Sequence, residues 1–368
     1  RQQLPPQHTM TALFLKLLSS SAVATAMAMT TIKPEPSRIP ASKVGISQTL
    51  HVQDRTMLGT LSVPNIGVGT IAWATQDSPD SAERLQRIAA ASKASGLDFF
   101  DTAERYGATG RSLIPAALKG LGLPIDASYL GGDCESNLAR WGAGATVATK
   151  FTPTPWRRTA QSVVTACIES AKRLGVEQIP LYQVHMPDII QPFARFGVSD
   201  CKNELYWDGM AECYHRGLIA NVGVSNYGPT LVERAQEHLA KRNVPLASNQ
   251  ISFSLLYRRQ GALATVERCN ELGVKMLAYY PLAMGLLSGK LTPSKLRGKR
   301  DARSQDLLRY LEGGAGGTAG VVPDGGIRPL LSVLHEVSAR LGKTPAQVRH
   351  SARARAHLSG TRQYLALL

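Results

Sequence analysis

From Leu61 onward the sequence repeats one unit, a short apolar run followed by a longer amphipathic stretch that closes on glycine. Short apolar runs bounded by turn residues read as strands buried on both faces, and apolar residues at helical spacing read as helices covering them. Such alternation forces parallel strands joined by helical crossovers. The runs are Leu61 to Gly67, Leu97 to Phe100, Ala145 to Thr149, Ile179 to Val184, Leu218 to Val224, Pro245 to Ser248 and Val274 to Ala278. The spacing predicts helices over Pro79 to Ala94, Thr159 to Leu174, Leu231 to Lys241 and Ala262 to Leu272, with another around Trp207, Met210, Ala211 and Tyr214. Shorter helical pieces are expected near Leu113 to Leu118 and Glu135 to Trp141. Pro79 suits a first helical position with Ser78 as its cap, and Leu85, Ile88, Ala89 and Ser92 fall on one face. Seven units fit an eight-fold β/α barrel lacking one unit better than a doubly wound sheet.

Polar residues recur at one place in this repeat. Asp101, Lys150, His185, Ser225, Asn226, Gln250 and Tyr279 each stand at or just past the C-terminal end of a predicted strand. Those ends converge on one face of a β/α barrel, where active sites are built. Tyr106, five residues beyond Asp101, brings a phenol to the same rim. A phenol ionises near ~10 and works as an acid when a cation lowers that value. Lys150, paired with Asp101, is the expected cation, Tyr106 the proton donor to a carbonyl oxygen, and His185 the group that orients the carbonyl or shares the proton. Tyr279 offers an aromatic face to a nicotinamide ring, and Ser225, Asn226 and Gln250 offer hydrogen bonds to its carboxamide. The loop from Pro281 to Lys290, with Leu282, Gly285, Leu287, Ser288 and Lys290, has the glycine, serine and cation content that suits a pyrophosphate.

A competing motif is present. Gly67-Val68-Gly69-Thr70-Ile71-Ala72 matches G-x-G-x-x-A. A dinucleotide turn needs a helix that starts at once and an acid ending the next strand. Here the helix starts only near Asp80, and no acid ends a second strand at the expected place.

Charge does not point to nucleic acid. The first 60 residues hold six Lys/Arg and two acids, residues 337–368 hold six and none, and only +5 of the net +15 remains for the middle. The five cysteines are scattered without metal or disulfide spacing. No run of 18 apolar residues occurs, so no stable membrane insertion is expected. Residues 1–55 read as a targeting or disordered segment. From Met10, one lysine, an apolar stretch and Ala26-Met27-Ala28 resemble a secretory-type signal, with Ala24-Thr25-Ala26 an equal cleavage site. The Ser-, Thr- and Pro-rich stretch to about Ser47 resembles a transit peptide. A plastid is the expected location, the cytoplasm the alternative.

Together these stretches resemble the aldo-keto reductases, and most the chloroplast branch of plants and algae. The likeness rests on Asp101-Thr102-Ala103-Glu104-Arg105-Tyr106-Gly107, Ala148-Thr149-Lys150-Phe151, Tyr182-Gln183-Val184-His185, Gly223-Val224-Ser225-Asn226-Tyr227, Ser248-Asn249-Gln250 and the loop from Tyr279 to Lys290, in the family's order. It implies a (β/α)8 TIM barrel over residues 56–348 and NADPH-dependent reduction of a small aldehyde or ketone. It also implies a tetrad of Asp101, Tyr106, Lys150 and His185, a cofactor contact at Thr70 and a substrate-pocket position at Trp73. The segment after Tyr106 is longer than the family's, with Glu135 as the remnant of its acid. Beyond Gln347 the pattern stops. Arg349, Arg353 and Arg355 fall where a buried helix face needs apolar groups, so residues 349–368 read as an aberrant basic tail from a frameshifted or mis-spliced gene end, and the eighth strand is not recognisable. The expected consequences are open edges on the first and seventh strands and weak NADPH binding for want of the adenosine-binding end. The alternative function is a non-catalytic or redox-sensing nucleotide-binding protein on the same scaffold, or a truncated inactive product.

Overall fold

The computed structural model describes residues 55–73, 79–107, 133–154, 157–188, 201–258, 261–299, 302–313, 326–348 and 364–367. The helical piece expected near Leu113 to Leu118, the Ser78 cap and the targeting segment before Arg55 lie outside them.

Arg55 opens a hairpin of β1 (Arg55–Leu58) and β2 (Leu61–Pro64). Its two-residue turn places Gly59 at φ 58, and a Cβ there would meet Asn221 Oδ1 at 1.9 Å. Asn221 fastens the hairpin: Thr60 N–H donates to its Oδ1 at 2.9 Å, and its amide donates to Thr60 Oγ1 at 2.9 Å and to Pro180 O at 3.1 Å. The predicted strand Leu61 to Gly67 is therefore two strands. Proline at 64 cannot donate to a continuing ladder, and the chain bends at Asn65 before β3 (Ile66–Gly69) enters the barrel.

The parallel strands are β3, β4 (Phe99–Asp101), β5 (Thr146–Phe151), β6 (Leu181–Val184), β7 (Val222–Ser225), β8 (Leu246–Ser252) and β9 (Lys275–Tyr279). An eighth, β10 (Tyr364–Leu367), pairs with β9 on one side and with β3 on the other, closing the barrel. This corrects the expectation of a missing eighth strand and of open edges. All the cations of the final segment precede Gln363, and Tyr364 to Leu367 carries no charge. Its four residues are too few to show a period beside the arginines, although a short uncharged run is what a barrel strand buried on both faces looks like.

Helices α1 (Pro79–Ala94), α2 (Asp133–Trp141), α3 (Ala160–Leu174), α4 (Asn203–His215), α5 (Pro229–Ala240) and α6 (Ala262–Glu271) follow the strands. In α3 the Thr159 hydroxyl accepts from Ser162 N–H and the Ser162 hydroxyl donates back to Thr159 O, while Gly175 at φ 67 ends the helix. Its face of Val163, Ala166, Cys167, Ser170 and Leu174 is buried as its spacing predicts. A fully buried Val or Leu of this kind contributes about 1.5–3 kcal/mol. In α1, Leu85 and Ala89 are buried, but Ile88 is 41% exposed and Ser92 only half-buried.

Strand alternation sets the interior. Phe99, Ala148, Leu181, Leu277, Leu365 and Leu367 pack with Leu58 and Val63 into one cluster. Two residues beyond Phe99, Ala148, Leu181 and Leu277 come Asp101, Lys150, Gln183 and Tyr279. A period of two keeps these on the same inward face, one layer nearer the C-terminal ends of the strands. The apolar floor and the polar layer above it are thus written in the same four strands. Gly223 belongs to the layer, since a Cβ would meet Ser248 Oγ at 2.3 Å and Gln183 Cγ at 2.7 Å.

The chain divides into two compact units. Thr49–Ala283 with Arg362–Leu368 holds the barrel, and Met284–Thr361 belongs to the other. The second carries a single 3-10 turn (Leu286–Ser288), the one-turn helix α7 (Pro293–Leu296), α8 (Ala302–Glu312) and α9 (Arg328–Leu341), with Leu286, Leu287, Leu307, Leu311 and Leu334 buried. Among the described residues no helix is long and apolar enough to cross a membrane.

Candidate active site

The polar layer opens into a cavity of about 380 Å³ lined by Gly69, Ile71, Ala72, Asp101, Tyr106, His185, Ser225, Asn226, Gln250, Tyr279, Tyr280 and Leu367. At its base Lys150, wholly buried, donates from Nζ to Asp101 Oδ2 at 2.7 Å, to Thr102 O at 2.7 Å and to Tyr106 Oη at 3.3 Å. Burial opposes the ammonium charge, but Asp101 and Tyr106 outweigh it, so Lys150 titrates above the ordinary lysine value. It is a cation throughout the neutral range.

For Tyr106 the balance runs the other way. Burial raises the phenol, Lys150 pulls it down, and burial wins, leaving it above its ordinary value. The expectation that Lys150 alone would set a lowered value neglected the cost of ionising a phenol inside the cavity. Tyr106 is therefore protonated at neutral pH, with its proton available for donation. The His185 ring lies at 5.6 Å from the Tyr106 ring, edge to face. Burial, then the Lys150 charge, push His185 down to about 3, so it is a neutral imidazole. Its Nδ1 shares a hydrogen bond with Thr152 Oγ1 at 3.3 Å, and its backbone N–H donates to Phe151 O at 2.8 Å. Thr152 is itself held, because its backbone N–H donates to Glu104 Oε1 at 2.6 Å and Arg157 clamps both oxygens of that carboxylate.

Next to His185, past the end of the neighbouring strand β7, Asn226 sits at φ 63, a left-handed conformation that asparagine tolerates. Its amide donates to His185 O at 2.9 Å and Ser225 Oγ at 3.1 Å, and its Oδ1 accepts from the Tyr279 hydroxyl at 2.8 Å. Ser225 Oγ donates to Gln250 O at 2.9 Å. Gln250 Nε2 donates to Asp101 Oδ1 at 2.8 Å.

Thr70, Trp73 and the residues of the loop after β9 that the sequence singled out stand apart from the cavity lining. Thr70 is buried, its N–H and hydroxyl both donating to Asp101 O at 2.9 and 3.1 Å. Trp73 is buried in the helix–strand core, 5.8 Å from the Phe100 ring and 6.5 Å from that of Trp141, and its carbonyl accepts from Asn137. Ile71 and Ala72 line the cavity at this turn instead. Leu282 is half-buried after β9 in the barrel unit. Gly285, Leu287, Ser288 and Lys290 belong to the second unit. There Gly285 takes φ 96, the Ser288 hydroxyl donates to Gly285 O at 2.6 Å, and Lys290 is exposed.

Other lining residues escaped sequence reasoning. Gly69 ends β3, two residues later than the Gly67 end expected from the sequence, and Ile71 and Ala72 follow it. Leu367 lies on the unrecognised strand. Tyr280 follows Tyr279 at φ 52, a conformation that no local sequence signal marks. The remnant acid Glu135 is fully buried and outside the cavity, held by Thr149 Oγ1 at 2.5 Å and Arg173 Nε at 2.7 Å.

A closed β/α barrel whose C-terminal rim carries a buried Lys–Asp pair against a phenol and a neutral histidine can deliver a proton to a small oxygen-bearing molecule. The chain's likenesses agree with this. The sequence model of the Aldo/keto reductase family matches residues 65–351. The chain is 34% identical over 299 residues to the chloroplastic pyridoxal reductase of Arabidopsis thaliana, covering 80% of this chain and 73% of the relative. Among solved structures, a glycerol dehydrogenase from Gluconobacter oxydans superposes with TM-score 0.58 at 20% identity, covering 85% of each chain. A thermostable aldo-keto reductase crystallised with the inhibitor epalrestat superposes with TM-score 0.55 at 20% identity, covering 85% of this chain and 88% of its own. The buried pair, the phenol and the barrel that presents them are thus those of a chain that belongs to the aldo/keto reductase family of oxidoreductases.

Proposed function

We propose that the protein reduces a small aldehyde or ketone to its alcohol with NADPH, Tyr106 acting as general acid. The observation that carries this reading is the three-way contact of Lys150 Nζ with Asp101, Thr102 O and Tyr106 Oη under one cavity. The carbonyl oxygen is received between the Tyr106 hydroxyl and the neutral His185 ring. Tyr106 transfers its proton as negative charge develops on that oxygen, and the fixed Lys150 cation stabilises the phenolate left behind. Asp101, with both oxygens engaged, serves as the counterion of Lys150 rather than as an acid. His185, uncharged, polarises the carbonyl without competing for the proton.

The residues present fit a nicotinamide. The Tyr279 ring and the amide of Gln250 both border the cavity, one offering an apolar face and the other a polar end to a carboxamide. When bound, NADPH would supply the hydride to the carbonyl carbon. Ser225 and Asn226 hold this wall in shape, and Thr70 fixes the backbone of Asp101. The turn with Leu282, Gly285, Leu287, Ser288 and Lys290 is proposed for the pyrophosphate on its sequence likeness. Trp73 is proposed to support the substrate pocket from behind.

The family relative from Arabidopsis is named a chloroplastic pyridoxal reductase, so pyridoxal heads the substrate panel and a plastid is the proposed location. The closing strand β10 supports the catalytic reading over a non-catalytic binder on the same scaffold. The test is steady-state NADPH oxidation with pyridoxal and a panel of other aldehydes and ketones. Tyr106→Phe should lower kcat at least about 10²-fold while NADPH still quenches protein fluorescence. Undiminished turnover in that variant would exclude Tyr106 as the acid.

A further inference from the structure

Gln250 reaches across the barrel. It stands on β8, and its side-chain amide donates at 2.8 Å to Asp101 Oδ1 on β4, 149 residues away in sequence and not a neighbouring strand. An ionised carboxylate only accepts, so the amide nitrogen must be the end that faces it. That orientation leaves Oε1 as the acceptor Gln250 has for the cavity it lines. The two ends of one amide therefore have different duties.

Asp101 is only 3% exposed, so no bulk water replaces a missing donor. Its backbone carbonyl is held by Thr70, its Oδ2 by Lys150 and its Oδ1 by Gln250. Without Gln250 one oxygen of a buried carboxylate would lose its donor, which frees the group to rotate.

We infer that Gln250 is a positioning residue for the proton-donating end of the site, holding Asp101 in the orientation that keeps Lys150 charged against Tyr106. This rests on the reductase reading, and it adds to the carboxamide-binding role a second one exerted through Asp101. It also makes one side chain common to the cofactor end and the acid end of the cavity.

The sign of the effect follows from the groups around the phenol. Tyr106 faces Lys150 on β5, Asp101 on β4, His185 after β6, and Tyr279 and Tyr280 at the end of β9. Lys150 is the largest influence favouring the phenolate, and Asp101 opposes it. Loss of the Gln250 donor leaves the Asp101 charge less shielded, or lets the carboxylate turn so that Lys150 is held less firmly against the phenol. Either outcome makes the phenol harder to ionise.

The experiment uses the full chain with ζ-13C-labelled tyrosine, and the Tyr106 resonance is assigned by its loss in Tyr106→Phe. Gln250→Leu removes the amide, Gln250→Met does so at matching length should the leucine variant not fold, and Gln250→Glu keeps an acceptor for a carboxamide while removing the donor. In cofactor-free protein at about pH 10, all are expected to show a smaller ionised fraction of Tyr106 than wild type. At saturating NADPH, kcat should fall about tenfold, the factor for one lost hydrogen bond to a charged group. An unchanged ionised fraction, or a kcat fully restored by saturating NADPH, would overturn the inference and leave Gln250 a cofactor contact only. A changed ionised fraction in protein that reduces no carbonyl would uphold the positioning role and instead sink the reductase reading.

Discussion

The Lys150–Asp101 pair lends itself to a double-mutant cycle. Lys150 is wholly buried, Asp101 is 3% exposed, and the two atoms are 2.7 Å apart. At that separation and an effective dielectric of about 20, their attraction is about 6 kcal/mol. Desolvation of the two ions costs several kcal/mol each, so the intact pair contributes little net stability. Breaking it is different. Asp101→Asn leaves Lys150 with neutral acceptors only, Thr102 O and Tyr106 among them, and Lys150→Met leaves the Asp101 carboxylate with Gln250 alone. Each single change should destabilise the barrel by about 3–5 kcal/mol, because each strands a buried charge. The double variant should cost no more than either single one, giving a coupling energy of about 3 kcal/mol or more. Urea unfolding followed through the barrel tryptophans, which include Trp73, Trp141 and Trp207, provides the measurement. Single-variant losses below about 1 kcal/mol, or a double variant equal to the sum of the two, would refute the claim that this pair is desolvated and mutually dependent.

Two further perturbations have signs fixed by the structure. His185 titrates at about 3 when folded and near 6.5 when unfolded, so the unfolded chain binds the extra proton between those values. Its contribution to stability is complete above pH 6.5 and is lost as pH falls toward 3, on the order of 3 kcal/mol once discounted for its partial exposure. The difference in acid unfolding between wild type and His185→Phe isolates it, and parallel stability–pH curves would contradict the shift. Asn221→Ala removes three hydrogen bonds, two of them to the hairpin, and leaves Thr60 N–H without its acceptor, so a loss of about 1–3 kcal/mol is expected in thermal unfolding. A change in Tm within error would mean that the hairpin contributes nothing to closing the barrel floor.

The polar rim was legible because each of its residues marks the end of an apolar run, a one-dimensional signal. Asp101, Tyr106, Lys150 and His185 could be placed together on fold class alone. What could not be read are contacts made across the barrel. Nothing near Gln250 in sequence points to Asp101, and nothing near Thr152 points to His185. The direction in which the Tyr106 phenol is shifted was misjudged for a related reason, since proximity to a cation is visible in a motif but the depth of burial is not. The errors in the strands are local. A proline made one apolar run into two strands, and four uncharged residues after a run of arginines were too short to register as a strand. Trp73 sits beside the cavity-lining Ile71 and Ala72 in sequence, yet a turn sends its side chain into the core between Phe100 and Trp141.

The pairing of Ile66 with Ala366 joins strands from the two ends of the described chain. During synthesis at roughly 5–20 residues per second, β3 emerges many seconds before the strand that will complete its hydrogen bonding. Throughout that interval β3 presents a bare edge to other nascent chains, joined by β9 once it is made, and ring closure cannot begin until Tyr364–Leu367 has emerged. The final step of assembly is then the insertion of a four-residue strand, the one that also brings Leu367 to the wall of the cavity. A ribosome stalled before codon 364 would hold a sheet of seven strands without a finished pocket. Catalytic competence and release from chaperones should therefore arrive together.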